Sequence, residues 1–233
     1  MALNAQFWKQ HFRSLYAPQI RALIEVLEAR LLPTFANVEE EANTKAEKEY
    51  ERLGSLPATG DNTDPAELAE RASDVGQAHY EMMVGLRQGL LNTFAVVLFH
   101  IYEQHVMVFH RREVLQPAEE NNAKLYQQRI FQERLQNLGV DIKTFTAWAT
   151  LEELKLVANT VKHADGESAA KLRSIRPDIF EPPKFVGLSF GPMSDVFTPL
   201  SGDDLYVSSS DLSRYATAVI AFWEELFDAL ERP

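Results

Sequence analysis

Two polar side chains with the chemistry for acid–base catalysis, Asn159 and His163, lie four residues apart in the segment 151–180. On a helix this spacing puts both side chains on the same face, one turn apart. Histidine titrates close to neutral pH and can both donate and accept a proton, and a neighbouring amide can orient its ring. The pair is therefore the first candidate for a catalytic site, with His163 as general acid or base.

Part of the same segment is basic and could hold a phosphate. Residues 155–176 contain five basic and two acidic residues, a net charge of +3, whereas residues 39–74 contain eleven acidic and four basic residues, a net charge of −7. Charge is thus segregated along the chain. The residues predicted to bind a phosphate-containing substrate are Lys155, Lys162, Arg173 and Arg176.

A simpler explanation of the Asn159/His163 face stays open. Lysine and histidine in the last turn of a helix are favoured by the helix dipole, and Asp165-Gly166 is a normal signal for the end of a helix. Asn159 and His163 can also hydrogen-bond each other at a surface that has no catalytic role.

A second group, formed by His100, Glu103 and His110, falls within an arc of about 80° on one face of a predicted helix. Imidazole and carboxylate groups suit several divalent metals. The Glu-x-x-His pattern of metal-binding helical bundles does not occur in the sequence, so a solvated polar stripe is favoured and neither a metal nor another cofactor is expected. His105 lies on the opposite, apolar face and is predicted to be a core residue.

Composition excludes several classes of function. The chain has 233 residues, a net charge of −11 and no cysteine, which rules out disulfides, thiolate metal sites and cysteine nucleophiles. An acidic protein does not attract nucleic acid through its overall field, so any such contact needs a local basic patch. The polar N-terminus and the short apolar runs predict a cytoplasmic protein without membrane contact.

The periodicity of apolar residues predicts an all-α fold, a helical bundle in one domain over residues 1–233. Breaks are expected at Pro18 and Pro33. The proline-free stretch 65–115 is longer than a usual globular helix, so it is predicted to form two helices or one helix broken near 73–76 or 85–89.

Residues 177–210 differ from the rest because they hold five of the eleven prolines. They are predicted to form an irregular insert or arm, and two alternating segments, KFVGLSF and DLYVS, could pair as a short β-hairpin.

The motif Ala158-Asn159-Thr160-Val161-Lys162-His163 resembles that of the HEPN superfamily, small helical-bundle proteins of prokaryotic defence and toxin–antitoxin systems. The resemblance implies a homodimer, RNA as substrate and metal-independent cleavage, with Asn159 and His163 at the family's Asn and His positions. The family's arginine position is occupied by Ala158. Loss of that guanidinium removes bidentate stabilisation of a phosphate, so reduced activity is expected.

Two hypotheses of function follow. The first is a HEPN-like RNA-binding protein or ribonuclease that uses His163, Asn159 and the four basic residues. The alternative is a non-catalytic, antitoxin-like scaffold that contacts a protein partner through the acidic region 39–74 or the insert 177–210.

Overall fold

A computed structural model describes residues 3–56, 64–182 and 204–231. These residues form an all-α helical bundle, as predicted, and no strand occurs among them. The α-helices are α1 Ala5–His11, α2 Ala17–Val26, α3 Val38–Gly54, α4 Pro65–Phe109, α5 Gln128–Asn137, α6 Trp148–His163, α7 Glu167–Ile175 and α8 Ser209–Leu230.

Backbone contacts divide the chain into two compact units. Unit 1 comprises residues 1–25 and 91–233, and unit 2 comprises residues 26–90. The prediction of a single domain is not decided by this division and stays a prediction.

Unit 1 has a well-packed aromatic core. Phe12, Phe109 and Phe227 surround Trp223, and the ring centroids of these three phenylalanines lie 5.5–5.7 Å from that of the indole. All four side chains are at most 1% exposed. Edge-to-face and tilted aromatic contacts at such distances add to the burial of apolar area, so this cluster stabilises the unit that carries α6 and α8.

Unit 2 is built from α3 and the first part of α4. Gly76 of α4 lies against α3, and a Cβ atom at this position would be only 2.8 Å from the carbonyl oxygen of Ala42 and 3.0 Å from the Cβ of Ala46. Because Gly76 faces the alanines Ala42 and Ala46, the backbones of α3 and α4 can approach each other closely.

The predicted break in the stretch 65–115 is wrong. Helix α4 runs without interruption for 45 residues, through both candidate break regions. Asp64 caps its start, since the Asp64 carboxylate accepts a hydrogen bond from the Ala66 N–H at 2.9 Å. An isolated glycine costs a helix only about 1 kcal/mol, which neighbouring good helix formers can offset.

The predicted break at Pro18 is also wrong, whereas the one at Pro33 is confirmed. Pro18 lies inside α2, directly after a π-helical turn over Phe12–Tyr16 in which the Ala17 N–H donates to the Phe12 carbonyl. Widening of the hydrogen-bond ladder to i→i+5 accommodates a residue that has no N–H. At Pro33 the helix gives way to a 3₁₀ turn over Leu32–Phe35.

Both ends of the insert 177–210 are attached to unit 1. Residues Pro177–Phe180 form a 3₁₀ turn, the Tyr206 N–H donates to the Ile179 carbonyl at 2.7 Å, and the buried Asn92 amide donates to the Leu205 carbonyl at 2.8 Å. DLYVS, residues 204–208, is not a strand. The other half of the predicted hairpin, KFVGLSF at 184–190, lies outside the described residues.

One helical stretch, Pro65–Val114, is long and apolar enough to cross a membrane by length and composition, and 28% of its most apolar window is buried. A core helix of a soluble protein passes the same test. Cytoplasmic location and the absence of membrane contact therefore stay predictions.

Candidate functional site

The candidate catalytic residues lie at the C-terminal end of α6. His163 is the last residue of the helix and is exposed, and Asn159, one turn earlier, is half-buried. The helix ends one residue before the predicted Asp165-Gly166 signal, because Ala164 adopts a left-handed φ of 57°. That conformation is unfavourable for a residue with a Cβ and interrupts the helical ladder.

Ala158, which occupies the arginine position of the HEPN motif, is fully buried. Its side chain therefore points into the core of unit 1, away from solvent, and an arginine at this place would have to bury its charge. The arrangement of α6 gives no route by which position 158 could present a cation to a substrate held at His163.

The His163 side chain forms no hydrogen bond and no ion pair with any residue that the structure describes. The same holds for the neighbouring Lys162, which is also exposed. Both side chains are open to solvent, where charge–charge interactions are weak and easily screened. Position alone leaves them accessible to a ligand but does not preorganise them for catalysis.

The other predicted phosphate-binding residues are partly engaged with the protein itself. Lys155 lies 3.7 Å from the Glu152 carboxylate and 3.4 Å from the side-chain oxygen of Gln128. The Arg173 guanidinium lies 4.5 Å from the centroid of the Phe180 ring and 4.0 Å from the Asp165 carboxylate. Helices α5 and α6 and the residues after α6 thus supply these cations with partners of their own.

Arg176 is the most strongly engaged of the four. It contacts Glu153 at 2.5 Å, Asp211 at 3.0 Å and Asp178 at 2.7 Å, and its side chain is only 20% exposed. These contacts use four of the five guanidinium N–H donors, so at most one is left for a phosphate. The structure places Arg176 at the centre of an ion cluster instead.

This carboxylate–arginine cluster consists of Glu153, Arg176, Asp211, Arg214 and Tyr215. The Glu153 carboxylate also accepts hydrogen bonds from Arg214 at 2.6 Å and from the Tyr215 hydroxyl at 2.7 Å. Asp211 completes a capping box at the start of α8 with Ser208. The cluster therefore ties α6, the Arg176–Asp178 turn and α8 together.

Ionisation in the cluster is set by a balance of two effects. Burial opposes the charged form of Glu153, but hydrogen bonds from Arg214 and Tyr215 and the two guanidinium charges outweigh it, so the pKa of Glu153 lies below its ordinary value. The pKa of Asp211 is likewise lowered, against burial, by hydrogen bonds from Ser208 and Arg176. Burial and the contact with Glu153 raise the pKa of the Tyr215 hydroxyl. Both carboxylates are charged at neutral pH.

Sequence reasoning did not find this cluster. Arg176 was predicted to bind the substrate, and Glu153 was given no role. The two carboxylates that bind Arg176, those of Glu153 and Asp211, lie 23 and 35 residues away along the chain, so no local pattern connects them. The one local signal was Ser208 followed three residues later by Asp211, which is typical of a helix cap and carries no information about a distant arginine.

The positions of His100, Glu103 and His110 do not support the alternative metal site. His100 and Glu103 are exposed, whereas His110 is 1% exposed and packs against the Phe131 ring, with centroids 5.3 Å apart. Within the described parts of the chain no three His, Asp or Glu side chains come together as a metal-binding group.

His105 is buried, as predicted, and its ring stacks on that of Tyr16 with centroids 3.7 Å apart. Burial lowers the pKa of His105 to about 4, with a smaller contribution from His11. Burial and the charge of Arg134 likewise lower the pKa of His110 to about 4, against the opposing effect of Glu119. One ring nitrogen of each has no hydrogen-bond partner among the described residues. Both histidines are therefore neutral core residues.

A surface groove of about 710 Å³ runs along α3 and α4 in unit 2 and is here called the α3/α4 groove. One wall carries carboxylates and the other carries aromatic and apolar groups. Its lining comprises Phe35, Ala36, Asn37, Val38, Glu39, Glu40, Asn43, Thr44, Glu47, Tyr80, Met83, Val84 and Arg87. The volume is in the range of a ligand-binding cleft.

No family model matches this chain, and searches of curated proteins and of solved structures find no significant match to it.

Proposed function

We propose that this protein is a non-catalytic interaction protein that binds a partner protein through unit 2. The observation that carries the proposal is the imbalance between the buried and the exposed apolar residues of this unit. Among its described residues only Leu27, Val38, Ala42, Ala72 and Gly76 are buried, and three of these are alanine or glycine.

The large apolar side chains of unit 2 are instead exposed. Met82 and Leu86 are 54% and 55% exposed, and Val84 and Val75 are 42% exposed. Seven of the thirteen exposed large hydrophobic residues in the described chain belong to this unit. Val75, Met82 and Leu86 lie on one face of α4, since they are spaced by seven and four residues, whereas Val84 lies on the opposite side beside the α3/α4 groove. Exposed apolar stripes of this kind mark surfaces that bind other proteins, since single proteins rarely leave them in water.

The test is recovery of partners from the source cells with a tagged chain. Substitution of Met82, Val84 and Leu86 by glutamate is expected to abolish association with the partner, because it places charge in the contact. His163→Ala is expected to leave association unchanged. The proposal fails if the triple variant retains its partner, or if His163→Ala alone loses it.

The second candidate function is RNA binding or metal-independent RNA cleavage, in keeping with the HEPN resemblance. It is supported by the exposed Lys162 and His163, which have no partner in the described residues and lie at one end of α6. Under this candidate the purified protein cleaves tRNA or mRNA in the presence of EDTA and His163→Ala does not. Intact RNA after incubation with the wild-type protein contradicts it.

A further inference from the structure

The two walls of the α3/α4 groove are each a single stripe of one helix. On α3 the stripe is Glu40, Asn43, Thr44 and Glu47, and on α4 it is Tyr80, Met83, Val84 and Arg87. Both stripes have the spacing i, i+3, i+4, i+7, which covers one helix face over about two turns, or about 10 Å. The groove is thus a trough between two helices, with a polar, acidic wall and a mainly apolar wall.

From this asymmetry we infer that the α3/α4 groove binds an amphipathic helix of the partner protein, with a basic face toward α3 and an apolar face toward α4. The inference rests on the proposed function and specifies the chemistry of the partner. A helix laid in a groove of this kind uses apolar side chains three and four residues apart as anchors. Met83, Val84 and the Tyr80 ring are the groups that such anchors would contact.

Charge decides which helix fits. Glu39, Glu40 and Glu47 line the groove and form no ion pair with any residue in the described part of the chain. Other glutamates nearby do have partners, since Glu49 binds Arg52 and Glu67 binds Arg71. The described residues of unit 2 hold twelve acidic and six basic residues. Lysine and arginine on the ligand would therefore find carboxylates that the protein itself leaves unneutralised, and an acidic ligand would be repelled.

Packing explains why the ligand is a helix. A pair of helices buries each partner on one side only, and the contact around Gly76 is made by alanine and glycine, which bury little apolar area. A third helix across the groove would bury Met83 and Val84 and complete a three-helix arrangement. An amphipathic helix supplies that apolar stripe in the required 3.6-residue period.

The experiment measures binding of three fluorescent peptides, each about 14 residues long, to the full-length protein. The first is a leucine–lysine peptide with helical amphipathic spacing, the second has the same composition in scrambled order, and the third replaces lysine by glutamate. The patterned basic peptide is expected to bind at least about tenfold more tightly than the other two, and its affinity is expected to fall at high salt.

Two double variants with the same change of charge locate the site. Glu40→Lys/Glu47→Lys alters the acidic wall and is expected to weaken binding about tenfold or more. Glu70→Lys/Asp74→Lys alters exposed residues of α4 that do not line the groove, so its affinity is expected to stay within about twofold of wild type. Circular dichroism checks that both variants remain folded.

Equal weakening in both variants would show attraction by overall charge, and equal binding of the scrambled peptide would show that no helix is recognised. Either result overturns the inference. The proposed function is tested separately: if the glutamate variants of Met82, Val84 and Leu86 lose the cellular partner while no basic peptide binds, unit 2 binds a partner of different chemistry. If the peptide binds but the cellular partner is retained, the groove is a ligand site and the proposed function fails.

Discussion

Replacing Gly76 by alanine tests whether α3 and α4 are in direct backbone contact. Alanine generally stabilises a helix interior relative to glycine by about 0.5–1 kcal/mol. At Gly76 the added Cβ would lie 2.8 Å from the Ala42 carbonyl oxygen, which belongs to the backbone and cannot rotate away, so the helices must separate. Overpacking of this kind costs about 1–3 kcal/mol.

Gly85 is the matched control because it lies in the same helix and unit, and a Cβ there meets no atom within 4 Å. The gain in helix propensity is common to both substitutions, so the difference between Gly76→Ala and Gly85→Ala reports the contact alone. We expect Gly85→Ala to stabilise the protein by about 0.5–1 kcal/mol and Gly76→Ala to lie about 1–3 kcal/mol below it.

Urea unfolding followed by circular dichroism gives the free energies, and hydrogen exchange of the amides in α3 and α4 shows whether the loss is confined to unit 2. Equal stabilisation by the two substitutions would refute the close approach of α3 and α4, and with it the geometry of the groove.

Three further predictions concern unit 1. Arg176→Met leaves Arg214 as the one described cation in contact with Glu153 and Asp211 and is expected to lower the free energy of unfolding by about 2–3 kcal/mol at pH 7 in urea titrations. Both carboxylates have lowered pKa values, so the stability that they contribute is present above the unfolded-state pKa near 4 and is lost as pH falls below it. The free energy of unfolding of the variant should therefore depend less on pH in that range than that of the wild type. The same acid dependence in both proteins would contradict this. Because burial lowers the pKa of His105 to about 4, the free energy of unfolding should fall by at most about 2–3 kcal/mol as pH drops from about 6.5 toward about 4. In thermal melts, His105→Phe should reduce the dependence of the melting temperature on pH in this range. His163→Ala should change stability by less than about 0.5 kcal/mol, because the side chain is exposed, and a larger loss would show a contact that the structure lacks.

The helical content of this protein followed from local patterns. The end of the helix at Pro33 and the burial of His105 were predicted correctly, because each depends on neighbouring residues and on a 3.6-residue period. The same local rules failed at Pro18 and along α4. There a π-helical turn and a close helix contact changed what proline and glycine usually signal.

The candidate site was predictable only in part. Spacing on one helix correctly placed Asn159 and His163 a turn apart at the end of α6. It could not show that Ala158 points into the core or that Arg176 is held by carboxylates from two other segments. Those facts depend on how α6 packs against α8 and the turn after α7.

The sequence by itself determined an all-α protein with a basic segment at 155–176 and an acidic one at 39–74, because helix period and charge are read from adjacent residues. Only the tertiary structure decided which charges remain free. Folding places Arg176 in an ion cluster, since partners 23 and 35 positions away become neighbours, whereas Glu39, Glu40 and Glu47 beside the α3/α4 groove form no ion pair with any described residue. The physical reason is that pairing of charges and burial of apolar faces are long-range contacts, which the order of residues along one helix does not encode.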